Sequence, residues 1–127
     1  MSSYVGKNKL FRTLVFLFLE CIEVEIIQKG PIIVGYGGTT MINANIMSNS
    51  TGSLEVIWQK THNNCCKNLM INCPKYSGSS CQVNNPHLVI NSIDKEDDGI
   101  YKLEVISPTE TKSSTGILVA LYGGKHI

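Results

Sequence analysis

Four of the five cysteines, Cys65, Cys66, Cys73 and Cys81, crowd into one stretch with the spacing C-C-x6-C-x7-C. Thiols so close together can cross-link a loop, hold a metal or act as nucleophiles. The spacing is not the paired C-x2–4-C of structural zinc sites. Adjacent Cys65 and Cys66 are poorly placed to bridge each other, so each is expected to pair with one of Cys73 and Cys81. Four cysteines allow three pairings, and sequence does not choose among them. His62 stands near Cys65, but a Cys-His dyad also needs an orienting group and an oxyanion donor, and neither is visible. His87 and His126 read as exposed loop and tail residues. The chain has no G-x-S-x-G, P-loop, H-E-x-x-H or dinucleotide fingerprint. No enzyme activity, cofactor or metal is expected.

The second group with chemistry is Asn49-Ser50-Thr51, an N-glycosylation sequon in a turn-rich stretch. It gains meaning from the N-terminus. "MSSYVGKNKLFR" carries Lys7, Lys9 and Arg12 with no acid, and the apolar run "TLVFLFL" follows until Glu20. A basic segment followed by a short apolar one is the order of a secretory signal. The run is too short for the ~20 apolar residues of a membrane span. Residues 1–23 therefore read as a signal peptide or an N-terminal extension, 24–123 as one domain, and 124–127 as a short tail.

The 127 residues suffice for one domain with its own core. A net charge of +1, with 17% charged residues, supplies no long-range attraction for nucleic acid or an acidic membrane. Nucleic acid is excluded as a partner, and membrane contact is expected only if a longer form carries an anchor.

From Val24 onward helical periodicity is nearly absent, and turn signals such as "YGG", "SNSTGS" and "DKEDDG" recur at short intervals. Two segments alternate cleanly. Thr40, Ile42, Ala44 and Ile46 share one face of "TTMINANI", and Leu54, Val56 and Trp58 share one face of "SLEVIWQK". Successive strand side chains point to opposite faces, so each set can line a core. Leu88, Ile90 and Ile93 extend that core, as do Tyr101, Leu103 and Val105. The expectation is an all-β, two-sheet antiparallel sandwich.

At this level of detail the chain resembles the immunoglobulin superfamily, in the manner of variable-type and I-set domains and of invertebrate extracellular Ig-like domains. Asp97-x-Gly99-x-Tyr101 matches the D-x-G-x-Y motif at the entry to strand F. Trp58 stands at the core tryptophan of strand C, and "LVINSI" resembles strand E. "KYSGSS" resembles strand D, and "GPIIVGYGGTTMINANI" the A′ strand, glycine turn and B strand. The resemblance implies that Tyr101 packs inward while its hydroxyl bonds backbone at the corner. It implies room at Gly99, and an Asp97 paired with a base at the start of strand D, where Lys75 stands. It also exposes a departure. The family's core disulfide would join the positions held here by Ala44 and Leu103, so both halves of the bridge are missing.

The resemblance implies a non-catalytic recognition or adhesion module outside the cell, secreted, or at the cell surface if the chain is part of a longer protein. Its partner would be a protein ligand or a second copy. The outward face of the sheet holding strands G, F and C is the expected contact, with Ile57, Gln59, Ile100, Lys102, Glu104 and Ile106 on it. Strand G, "GILVALY", is apolar on both faces. Two other readings stay open: an intracellular I-set module of a cytoskeletal scaffold, and a metal or redox cysteine loop carried on the sandwich.

Overall fold

The computed structural model describes residues 21–50, 52–62, 65–71, 75–79 and 85–122. Among these residues ten strands form: β1 (Ile22–Ile26), β2 (Ile32–Gly35), β3 (Thr40–Ser48), β4 (Glu55–His62), β5 (Cys65–Asn68), β6 (Tyr76–Ser79), β7 (His87–Ile90), β8 (Gly99–Ile106), β9 (Thr111–Ser113) and β10 (Ile117–Tyr122). The one helical element among the described residues is the 3₁₀ turn Lys95–Asp97.

The strands make two sheets. One has the order β1-β3-β7-β6, the other β2-β10-β8-β4-β5, with β9 also paired to β8. The pairs are antiparallel except β2 with β10, which run parallel. The expected two-sheet sandwich is what forms, with this one parallel pair at its edge. Its cause is the break around Lys29-Gly30-Pro31. There the chain leaves the four-stranded sheet after β1 and joins the edge of the other sheet as β2.

The alternating sets meet between the sheets. Ile42 and Ala44 from β3, Val56 and Trp58 from β4, Leu88 and Ile90 from β7, and Tyr101 and Leu103 from β8 belong to one buried cluster. Trp58 lies directly opposite Leu103 in the β4–β8 ladder. Each fully buried large apolar side chain contributes about 1.5–3 kcal/mol, so this layer drives the association of the sheets. Among the described residues Trp58 Nε1 has no acceptor.

Ile22 is fully buried and pairs with Ser48. The first strand therefore starts two residues ahead of Val24. In the other sheet, Tyr101 to Glu104 of β8 lie opposite the longer stretch Ser113 to Ile117, which is a bulge between β9 and β10. Ser114 repairs the ladder there. Leu103 N donates to Ser114 Oγ at 3.0 Å, and Ser114 N donates to Leu103 O at 2.9 Å.

Candidate recognition face

The corner that leads into β8 fixes how this strand presents its side chains. Asp94 caps the 3₁₀ turn, its Oδ1 accepting from Glu96 N at 2.9 Å, while Asp97 Oδ2 accepts from Asp94 N at 2.8 Å. The acidic cluster is thus largely consumed in holding its own backbone. Asp97 Oδ2 also receives Lys75 Nζ at 2.6 Å, and Lys75 Nζ donates to Ser92 O at 2.9 Å. Asp98 Oδ1 accepts from Leu121 N at 2.7 Å and so ties the corner to β10. Tyr101 Oη donates to Asp97 O at 2.7 Å. At Gly99 a Cβ would lie 2.8 Å from Lys60 Cε, so a side chain there would displace that lysine.

Lys60 is the residue that sequence reasoning overlooked. It continues the inward row of Leu54, Val56 and Trp58, and it is only 8% exposed. Its Nζ donates to the Glu96 carbonyl and lies 5.7 Å from the centre of the Tyr101 ring. A cation over an aromatic face is attracted by the ring's negative quadrupole. Burial still pushes the Lys60 ammonium below its usual pKa range, against the opposing pull of Asp97. The alternation itself was the available signal. Lys60, Lys67, Lys75 and Asp97 line an open cavity of about 750 Å³ beside this corner.

With the inward row occupied, β8 turns Ile100, Lys102, Glu104 and Ile106 outward. The register sets Ile57 beside Glu104, Gln59 beside Lys102, and Leu118 of β10 beside Ile100. Ile100 and Leu118 are each 45% exposed, and Ile33, on the edge strand β2, is 58% exposed. Ile57, Lys102, Glu104 and Ile106 are half-buried. Gln59 departs from its expected role as an open contact residue. It is 9% exposed, its Nε2 donating to Asn68 Oδ1 at 2.9 Å and reaching Glu104 Oε1 at 3.4 Å. Neighbouring polar side chains close over it. The result is a sheet face with an apolar end and a polar centre. Strand β10 is apolar on both faces, yet Ile117 and Val119 are buried while Leu118 and Tyr122 are exposed.

The remaining sequence candidates lie elsewhere in the fold, on the edge strand β5 of this sheet, or outside the described residues. Asn49 is exposed at the end of β3, its Oδ1 accepting from Cys21 N at 2.8 Å and its own N donating to Cys21 O at 3.2 Å. Thr51 of the sequon is outside the described residues. The backbone of Cys65 and Cys66 forms the start of β5, opposite His62 and Thr61. Cys73 and Cys81 lie outside the described residues, as does His126. His87 opens β7, its Nδ1 within 3.3 Å of Asn85 O.

No family model matches the chain, and no curated protein matches it in sequence. Many solved structures are similar to it in shape. One is a chain of the structure described as "Structural basis of T cell specificity and activation by the bacterial superantigen toxic shock syndrome toxin-1". It is similar with a TM-score of 0.65 and 12% identity, over 80% of this chain and 99% of that chain. At that identity the likeness concerns the fold alone.

Proposed function

We propose that this chain is an immunoglobulin-superfamily domain acting as a non-catalytic recognition module outside the cell. Its partner is a protein, met by the outward face of the six-stranded sheet. The observation that carries the family reading is the tyrosine corner, Tyr101 Oη on Asp97 O, in a sandwich of this strand order. Sheets of order A-B-E-D and C-F-G, the second extended by a C′ strand, describe variable-type immunoglobulin domains. Here β1-β3-β7-β6 takes the first place, and β10-β8-β4-β5 the second.

The recognition reading rests on the face itself. Ile33, Leu118 and Ile100 occupy neighbouring strands and leave apolar surface open to water. Scattered exposed apolar residues are ordinary, whereas a contiguous group on one rigid sheet marks a contact surface. The secreted address rests on the basic-then-apolar N-terminus, the sequon at Asn49 and the clustered cysteines. The paired absence of a core disulfide, with Ala44 and Leu103 both buried instead, favours the second reading, an intracellular scaffold module.

Expression in a secretory cell line separates the two. Secretion with a glycan on Asn49, and oxidation of Cys65, Cys66, Cys73 and Cys81, is the expected result. Retention in the cytosol with free thiols overturns it. The double substitution Ile57→Glu with Ile106→Glu is expected to abolish partner binding while leaving the fold intact.

A further inference from the structure

We propose that the partner met by this face is a second copy of the chain, the two packed face to face with their β8 strands antiparallel about Leu103. The inference rests on the reading of that face as the recognition surface, and it adds the identity and geometry of the occupant.

The outward row of β8 reads Ile100, Lys102, Glu104, Ile106. Reversed, the same row reads apolar, negative, positive, apolar. A two-fold axis lying in the contact plane, across the strands at the level of Leu103, therefore sets Lys102 over Glu104 of the other copy. By symmetry it also sets Glu104 over Lys102, and Ile100 over Ile106 at both ends. The contact is isologous, as closed dimers require. The parallel alternative would set lysine on lysine and glutamate on glutamate, so the charge order selects one orientation. Face-packed sheets lie ~10 Å apart with their strands within ~30° of alignment, which long side chains from both faces can span.

Two further observations favour this occupant. Among the described residues neither Lys102 nor Glu104 has an ion-pair partner within the chain, since the two pairs formed are Lys29–Glu25 and Lys75–Asp97. And Gln59, at the centre of the face, is already closed by Asn68 and Glu104, so its amide enters a dry contact with its donor satisfied.

Sedimentation equilibrium of the full chain tests the proposal, with Lys102→Glu and Glu104→Lys made separately. The wild type is expected to dimerise, and each reversal to weaken self-association by ~10-fold or more, because like charges then meet twice. An equimolar mixture of the two variants is expected to recover a dimer, since every reversed charge now faces its opposite. A variant that merely failed to fold would not be rescued by mixing. A dimer insensitive to both reversals, or a mixture that stays monomeric, overturns the proposal. So does a monomeric wild type. If that monomer still loses binding to a different protein on Ile57→Glu with Ile106→Glu, the recognition reading stands and only the self-contact falls.

Discussion

Lys75 Nζ sits 2.6 Å from Asp97 Oδ2, and the Asp97 side chain is almost wholly buried while that of Lys75 is partly open. The pair joins the start of β6 to the corner before β8, two segments distant in sequence. A buried carboxylate in this setting holds its place through the lysine and the Asp94 amide together. Asp97→Ala removes the acceptor from both donors at once. It should lower stability by about 3 kcal/mol, within the range for breaking a buried pair. Urea unfolding checks this, and a midpoint equal to wild type would mean the pair contributes nothing net.

The pH dependence in alkali involves two groups with opposite signs. Burial first, and then Tyr76 and Asp97, raises the Tyr101 phenol above its ordinary range. The unfolded chain therefore loses that proton near pH ~10 while the folded chain keeps it, so this contribution is present below pH ~10 and lost above it. Lys60 is depressed by burial, so its folded form sheds a proton first. Its burden is present at neutral pH and lifts as pH rises through the folded pKa toward the unfolded value of ~10.4. Tyr101→Phe should cost about 1–2 kcal/mol at pH 7 through the lost bond to Asp97 O, and it should flatten the alkaline decline. Lys60→Met should remove the opposing rise. Denaturant midpoints measured from pH 7 to 11 on both variants separate the two contributions.

Gly78 is a structural requirement of β6. Its φ is +126°, and a Cβ there would lie 2.2 Å from the His87 carbonyl oxygen, a backbone atom with no freedom to move aside. Gly78→Ala combines left-handed strain with a clash against the paired strand. A loss of about 2–3 kcal/mol is expected from the backbone conformation alone. Thermal unfolding with far-UV circular dichroism reads it, and a loss below about 0.5 kcal/mol, the scale of an unremarkable surface substitution, would mean that β6 does not adopt this conformation.

What was legible in the sequence was what repeats every second residue. The inward rows of β3, β4 and β8 follow from alternation because one face of each strand must leave water. D-x-G-x-Y placed the corner because its bonds are local: Tyr101 reaches Asp97 four residues back. The parallel partner of β2, the burial of Lys60 and the need for glycine at position 78 were not legible. Each is decided by a segment far along the chain. The Glu96 carbonyl and Tyr101 ring make room for Lys60, and the β7 backbone crowds Gly78. Alternation marked the row containing Lys60, but a lysine at its end reads as a solvated terminus until a distant acceptor is known. On the face, parity decides which residues turn outward, whereas the closure of Gln59 depends on Asn68 arriving from β5.

The start of β1 limits where a leader, if one is removed, can be cut. Ile22 is 1% exposed and pairs with Ser48, and the Cys21 amide and carbonyl both bond Asn49. Cleavage after residue 23 would delete a fully buried isoleucine together with the first rung of the β1–β3 ladder. Truncating a buried isoleucine to alanine already costs about 2–5 kcal/mol, and deleting it removes backbone pairing as well. Cleavage after Cys21 keeps Ile22 but breaks the bonds of Cys21 to Asn49, whose side-chain amide would carry the glycan. The cut is therefore expected no later than the Cys21–Ile22 bond, at least two residues ahead of the boundary after residue 23 that the sequence suggests. Intact-mass and N-terminal peptide analysis of secreted protein measure it directly. A mature chain starting at Val24 with unchanged thermal stability would show that Ile22 and its pairing do not support the sandwich.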